Sequence, residues 1–512
     1  MRDQLAIHLS IVLFWPLVLA VLGAAAPRRL APWVALLGAL VPLGYAIVLL
    51  FDFDTGRPGL QYVTDADWIP ALGIHYKLGL DGLNLWLVAL TALLFAAVAL
   101  WIVFRPYERG KLFAFHLGLA ETGVLGAFMA QDLALFVLFF DLMLVPFAFL
   151  VLGWGGPERV AATLKFIIYT LVGSLLMLAG AVATAVLTAS ATGNDITFVI
   201  SDLARAPLGE STQKWIFVAF ALAFLIKMPA FPVHGWMPDA YRQMPLPVLA
   251  VFSAVLSKVA AYGFLRVALP VFPEAAADFQ LLILLIALGS ILYGSVQAFT
   301  QTDARLILGY SSVAQLGFIT LGIFALRPEG SQGSLLQMVQ HGLVVAPLFL
   351  IIVLLAERAG GSEDLRDMGG IAFRAPVLAA LFLITTLATL AMPGSANFVG
   401  EFFILLGTFR SDIVIAVLAF AGVAMASVYM LRFFIRAMHN RRGPAVESYE
   451  LSLRDGLVIA PLVAVVVAFG VYPQAALDAS EPSAVAAVRV AQQQAGETGT
   501  PTAAAAREEE GP

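Results

Sequence analysis

Apolar runs of helical length, divided by short polar connections, recur along the whole chain. Crossing the roughly 30 Å hydrocarbon core of a bilayer takes about 20 apolar residues in a helix. Runs of that size fall near 5–26, 31–51, 83–104, 112–130, 132–152, 163–188, 214–234, 245–269, 279–299, 306–326, 333–356, 376–409, 412–438 and 456–474. They predict an all-α integral membrane protein of about fourteen transmembrane helices, the run at 376–409 being interrupted at Pro393-Gly394. Longer connections occur at 52–82, 189–213, 357–375 and 439–455. The segment 475–512, rich in Ala, Gln, Glu and Thr, reads as a disordered tail.

The first run resembles a signal peptide ending at Ala24–Ala26, but Asp3 offsets Arg2 and Pro27 would follow the cut. A first spanning helix fits better. Lysine and arginine bias sets the orientation. With the N-terminus outside, the inner loops gain Arg28 and Arg29, then Arg105, Arg109 and Lys111, then Arg358, Arg366 and Arg374. The last inner loop gains Arg432, Arg436, Arg441, Arg442 and Arg454, whereas the outer 52–82 loop carries Asp52, Asp54, Asp65, Asp67 and Asp81. An even number of spans places both termini outside.

Composition narrows the chemistry. Hydrophobic residues make up 61% of the chain and charged residues 12%, against about 25% charged in soluble domains. The net charge of −5 is dispersed, and no basic face points to nucleic acid. With no cysteine, the chain has no disulfide, thiolate iron–sulfur ligation or cysteine nucleophile. Neither a GxGxxG or phosphate-binding GK[ST] loop nor HExxH supports nucleotide or zinc chemistry. Redox cofactors, where the function needs them, belong to other chains.

Against this apolar background a few ionisable residues stand out. Lys227 lies in WIFVAFALAFLIKMPAFPVHGW, just before Pro229 and Pro232. A charge at membrane depth costs about 2.5–3.5 kcal/mol on the lenient insertion scale and usually faces a partner or water. The prolines remove backbone donors, so the carbonyls they free must be satisfied inside protein or a wet cavity. A broken helix carrying a buried base, with His234 close behind, is one way membrane proteins build ion paths. The alternative is a lysine snorkelling from a helix end. Asp141, Lys258, Glu401 and Glu121 also fall within spans. Each admits a second reading, a salt bridge that only fixes helix packing.

Taken together, acid, base, base and acid on separate helices suit a proton relay, because burial disfavours the charged form of either type. Making or breaking an Asp141–Lys227 pair would switch proton affinity. His234 and His341 can bridge the lysines through water, although a lone buried histidine such as His116 is more often a packing residue. Ser311, Ser312 and Gln315 either line water or bond neighbouring helices. Arg266 reads as an interfacial anchor. The steps IKMPAF (226–231) and LAMPGS (390–395) break at the same Met-Pro pattern, five helices apart, which suggests internal repeats of about five helices.

At these residues the chain resembles the subunit M family of proton-pumping NADH–quinone oxidoreductase, respiratory complex I, whose mitochondrial counterpart is subunit 4. The resemblance runs from about residue 75 to 440. It includes LGLDGLNL (78–85), FFDLMLVPF (139–147), WGGPERVAATLKFIIYTLVGS (154–174), IKMPAFPVHGWMPDA (226–240), SKVAAYGFLR (257–266), YSSVAQLGF (310–318), QMVQHGL (337–343) and PGSANFVGEFFILLG (393–407). It implies a fourteen-helix antiporter-like fold with two inverted five-helix repeats and broken seventh and twelfth helices. The chain then divides into three N-terminal helices with the acidic outer loop (1–111), repeats at 112–278 and 279–440, a final transmembrane helix (441–474) and the tail (475–512).

Carried over by motif, Lys227 resembles the central-channel lysine on the seventh helix, Lys258 the connecting lysine on the eighth, and Glu401 the exit-side acid on the twelfth. His234 and His341 fall at water-linked relay positions, and Glu121, read from its mid-span place alone, is a further relay-assisting candidate. Asp141 falls where the family usually has the glutamate paired to the seventh-helix lysine. The related L and N subunits and Mrp-type antiporter subunits usually carry lysine where Glu401 stands. The resemblance also implies FMN, iron–sulfur clusters and quinone in partner subunits, and none in this chain. It implies neighbouring antiporter-like subunits, and a bacterial inner membrane with both termini on its outer side.

Three departures stand out. Asp141 is one methylene shorter than glutamate, the usual Ser-His after YSSV is Ala314-Gln315, and Tyr241 replaces a histidine, followed by Gln243-Met244-Pro245. Two other functions stay open: a subunit of an Mrp-type cation/proton antiporter or a related membrane-bound hydrogenase or dehydrogenase complex, and a structural module that does not pump.

Overall fold

The computed structural model describes residues 8–57 and 59–498. Two helices come first, α1 (Leu9–Ala25) and α2 (Ala31–Asp52). A β-hairpin follows, strands β1 (Gln61–Ile69) and β2 (Ile74–Leu80), paired antiparallel within the long acidic loop. Next come α3 (Leu85–Phe104), α4 (Gly110–Met129), α5 (Leu133–Leu142), α6 (Leu144–Trp154), α7 (Arg159–Thr192), α8 (Ile200–Arg205), α9 (Glu210–Lys227) and α10 (Met237–Gln243). The second half holds α11 (Leu246–Val271), α12 (Pro273–Asp278), α13 (Gln280–Thr300), α14 (Ala304–Phe324), α15 (Pro328–Arg358), α16 (Pro376–Thr389), α17 (Ala396–Ser411), α18 (Ile413–Met438), α19 (Leu453–Val471) and α20 (Gln474–Thr498). Among the described residues, 11 helical stretches are long and apolar enough to cross a membrane, α5 and α6 counting as one.

Local chemistry marks the helix starts. A side-chain oxygen at the N-cap satisfies donors that the first turn leaves unpaired. Asp132 accepts from the Leu135 amide, Asp303 from Arg305 and Leu306, Asp412 from Ile415, and Ser452 from Asp455. Proline opens α15 and α16, where its missing N–H costs nothing.

Burial is graded across the bundle. In α11 and α14 the most apolar window is wholly buried, and in α15 it is 94% buried; in α2 and α19 it is 33%. These three helices carry Lys258, Ser311, Ser312, Gln315, Gln337, Gln340 and His341 in buried positions. The outer helices show apolar faces to lipid instead, as α7 does with Leu164, Ile168, Leu171 and Leu175.

Two expectations need correction. The tail reading fails for residues 475–498, which form α20, while 499–512 lie outside the described residues. Alanine spacing explains the helix: Ala476, Ala479, Ala484, Ala487, Val488 and Ala491 are buried, so a low-hydrophobicity segment still owns an apolar stripe. Arg266 is not an interfacial anchor. Its side chain is 11% exposed, bonds Asp81 at 2.5 Å and donates from Nε to the Tyr262 hydroxyl at 2.8 Å.

Candidate functional site

Both expected breaks are present, and the backbone they open is accounted for. At the first, α9 stops at Lys227 and the chain turns until α10 begins at Met237. The Ile226 carbonyl, freed by the break, accepts from the Trp236 indole at 2.9 Å, and the Phe231 amide donates to Ser290 Oγ at 2.9 Å. At the second, α16 stops at Thr389 and α17 starts at Ala396, with Ala391 and Gly394 at φ 52° and 87°. Polar groups can remain unpaired by helix bonding at this depth only where protein or water replaces the bond.

Lys227 is 1% exposed, which removes the snorkelling reading. Its ammonium donates to the Phe140 carbonyl and stands 3.7 Å from the Phe140 ring centre. That carbonyl lies in the last turn of α5, where the helix yields at Met143 before α6 resumes. Asp141 is the next residue. Its charge acts on Lys227 through space, and its Oδ1 has no hydrogen-bond partner. Asp141 thus acts on Lys227 through its charge, while the lysine's hydrogen bond goes to the Phe140 carbonyl.

Lys258 sits between two π-helical stretches of α11, Phe252–Leu256 and Phe264–Ala268. Such widened turns free carbonyls and recur at functional sites. Here the Ser253 carbonyl accepts from Lys258 Nζ at 2.8 Å and from Ser257 Oγ at 3.2 Å. The Lys258 ammonium also lies 2.8 Å from Nδ1 of His341 on α15, and Ser253 Oγ lies 3.3 Å from Ser312 Oγ on α14. Lysine, histidine and three serines therefore form one buried cluster.

Glu401 on α17 is 3% exposed. Its Oε1 accepts from Gln315 Nε2 at 2.9 Å and from Gln337 Nε2 at 3.3 Å, while Oε2 has no protein partner. Gln337 and Gln340 escaped the sequence reading, as did Asn397. Their signal was present: Gln337, Gln340 and His341 lie at helical spacing on one face of an otherwise apolar helix.

The remaining candidates lie apart from these clusters. His234 is 7% exposed, packs its ring against Tyr293 and Phe231, and leaves Nδ1 unpartnered. Glu121 is buried among α1 to α4, beside Pro16, Gly38 and Ala99, with Oε1 unpartnered. His116 packs against Phe149, the ordinary role of a lone buried histidine.

This arrangement has known counterparts. Residues 130–426 match the family model described as NADH:quinone oxidoreductase/Mrp antiporter, TM. The NADH-quinone oxidoreductase subunit M of Rhodobacter capsulatus is 37% identical over 494 residues, covering 93% of this chain and 95% of that protein. The subunit M of Escherichia coli K12 is 38% identical over 474 residues, covering 90% and 92%. A chain of respiratory complex I from Thermus thermophilus superposes with a TM-score of 0.86 at 33% identity, covering 94% of this chain and 99% of that one. A chain of the Mrp complex from Dietzia sp. DQ12-45-1b shares the fold, with a TM-score of 0.83 at 23% identity, over 95% and 98%. The chain belongs to the NADH:quinone oxidoreductase/Mrp antiporter transmembrane family.

Proposed function

We propose that this chain is the proton-translocating, antiporter-like membrane subunit of an NADH–quinone oxidoreductase, with Lys227, Lys258 and Glu401 as its relay and Asp141 as the acid that gates it. Protons cross here, while NADH oxidation and quinone reduction occur in partner subunits that hold FMN, the iron–sulfur clusters and the quinone. Residence in a bacterial inner membrane, with both termini outside, belongs to the same reading.

The Lys258–His341 contact of 2.8 Å carries the proposal. An ammonium meeting an imidazole nitrogen needs that nitrogen unprotonated, so one hydrogen bond can pass a proton by exchanging donor and acceptor. A packing salt bridge would put a carboxylate there instead. His234 and Glu121, apart from the lysine clusters, assist by holding water at their unpartnered atoms.

Energy reaches the relay from neighbouring chains, as an electrostatic or conformational change that closes the Asp141–Lys227 pair. The second reading, a gradient-driven cation/proton antiporter subunit, draws on the fold shared with the Mrp complex chain. NADH-driven acidification and NADH–quinone turnover in membrane vesicles test both, comparing the native chain with Lys227→Ala. Loss of pumping with slowed turnover is the expected result. Full pumping in an assembled Lys227→Ala complex would overturn the relay, and sodium-dependent exchange without NADH would favour the second reading.

A further inference from the structure

The Glu401 carboxylate is held asymmetrically. A carboxylate oxygen offers two lone-pair sites. Both of those on Oε1 are taken, by Gln315 Nε2 at 2.9 Å and Gln337 Nε2 at 3.3 Å. Gln337 also donates to Gln315 Oε1 at 2.6 Å, so the two amides brace each other. The glutamines are 1% and 0% exposed, and neither titrates.

Beside this braced pair, on α15 and α17, two further buried amides have a different character. Gln340 and Asn397 are 0% exposed, and none of their four side-chain amide atoms has a protein partner. Asn397 lies one helical turn before Glu401 on α17. Gly400 brings α15 close: a Cβ there would stand 2.5 Å from Gln337 Oε1 and 2.8 Å from Gln340 Oε1. Buried polar groups without protein partners are satisfied by ordered water.

We infer that Gln315 and Gln337 are positioning residues which confine the Glu401 proton to Oε2, the oxygen served by water on Gln340 and Asn397. This rests on the relay reading above and adds to it a direction of transfer. A water that has taken a proton from the relay passes one to Oε2, its O–H bond breaking as the Oε2–H bond forms, and is left neutral. Oε1 stays the carbonyl oxygen, anchored by two N–H donors. Release runs from the same oxygen to a second water, so the carboxyl group need not rotate. Gln315 thus turns a freely rotating acid into one with a fixed proton site.

The test uses the whole complex in proteoliposomes and infrared difference spectra. The carbonyl band of protonated Glu401 is identified by its absence in Glu401→Gln. Removing a hydrogen bond to the carbonyl oxygen moves such a band to higher wavenumber. The expected result is an upward shift in Gln315→Leu and a smaller one in Gln337→Leu, which loses the longer bond. Pumping in Gln315→Leu should fall roughly tenfold or more, the effect of losing one charge-assisted hydrogen bond. Should Gln315→Leu fail to assemble, the Gln337→Leu shift decides alone. A band that moves in neither assembled variant, or only in Gln337→Leu when both assemble, overturns the proposal. The band is read independently of proton flux, so a native complex that shows these shifts without pumping would sink the proposed function and leave this inference standing.

Discussion

Lys227 donates a hydrogen bond to the backbone carbonyl of Phe140, while Oδ1 of Asp141, one residue further on, has no hydrogen-bond partner. A carbonyl dipole and the face of a phenyl ring both favour an ammonium, yet neither carries net charge. The Asp141 countercharge acts on the lysine through space rather than through this hydrogen bond. Under the proposed function, the Phe140 carbonyl and the Asp141 carboxylate, adjacent on the last turn of α5, are alternative acceptors for this lysine, and a movement of α5 against α9 would choose between them.

Side-chain length at position 141 then controls the choice. Asp141→Glu adds one methylene and should close the pair, retaining pumping at or above the native rate. Asp141→Asn removes the charge and should lower NADH-driven acidification about tenfold or more, since a buried lysine without its acid loses several kcal/mol of stabilisation. Vesicle acidification normalised to assembled complex distinguishes the two. Equal rates in native and Asn variants would remove Asp141 from the relay.

The Asp81–Arg266 pair makes a different prediction, for stability. Asp81 Oδ1 accepts from Arg266 and from the Leu83 amide at 2.9 Å. Asn84 meanwhile bonds the carbonyls of Gly79 at 3.0 Å and Phe128 at 2.8 Å, tying the hairpin to α3 and α4. Removing one partner strands a buried charge at a cost of about 3–5 kcal/mol. Asp81→Ala should therefore lower the thermal midpoint of the purified complex markedly. Replacing Asp81 and Arg266 together should cost less than the sum of the single changes.

The sequence disclosed a multi-span helical membrane protein, the two breaks and every titratable member of the clusters, because a charge or a proline stands out against an apolar background. What it hid was neutral. Gln315 was weighed only as a water-lining or helix-bonding group and noted for the histidine it replaces. Gln337 and Gln340 passed unremarked beside His341. An amide has no periodicity of its own, and its partner on another helix is fixed only by packing. Arg266 was misread for the same reason: Asp81 is 185 residues away in sequence. The segment now known to form α20 was misjudged because alanine buries little area per residue, so its stripe carries a weak signal.

That helix rests on a close contact at Gly82. The Gly82 amide donates to Ser483 Oγ at 3.1 Å, and Gln332 Nε2 donates to the Leu477 carbonyl at 3.0 Å. A Cβ at Gly82 would stand 2.0 Å from the Ala479 carbonyl oxygen, a backbone atom that cannot swing aside. Gly82→Ala should push α20 off its seat, exposing the segment around residues 473–480 to protease while the spanning helices stay protected. Limited proteolysis of the native and variant complexes reads this directly, and an unchanged digestion pattern would mean that α20 tolerates the displacement.

Lys258 and His341 should act as one unit. With a single 2.8 Å contact between them, each nitrogen is the other's hydrogen-bonded titratable partner. Residues that work through one shared bond lose nearly the whole effect when either is removed. Lys258→Met and His341→Leu should thus each reduce pumping to a similar low level, and the double variant should be no slower than the worse single. Independent roles would instead multiply the two losses. Proton flux per NADH oxidised, measured for the four members of this cycle in assembled complexes, separates the cases. Multiplicative losses would show that His341 packs beside Lys258 without exchanging protons with it.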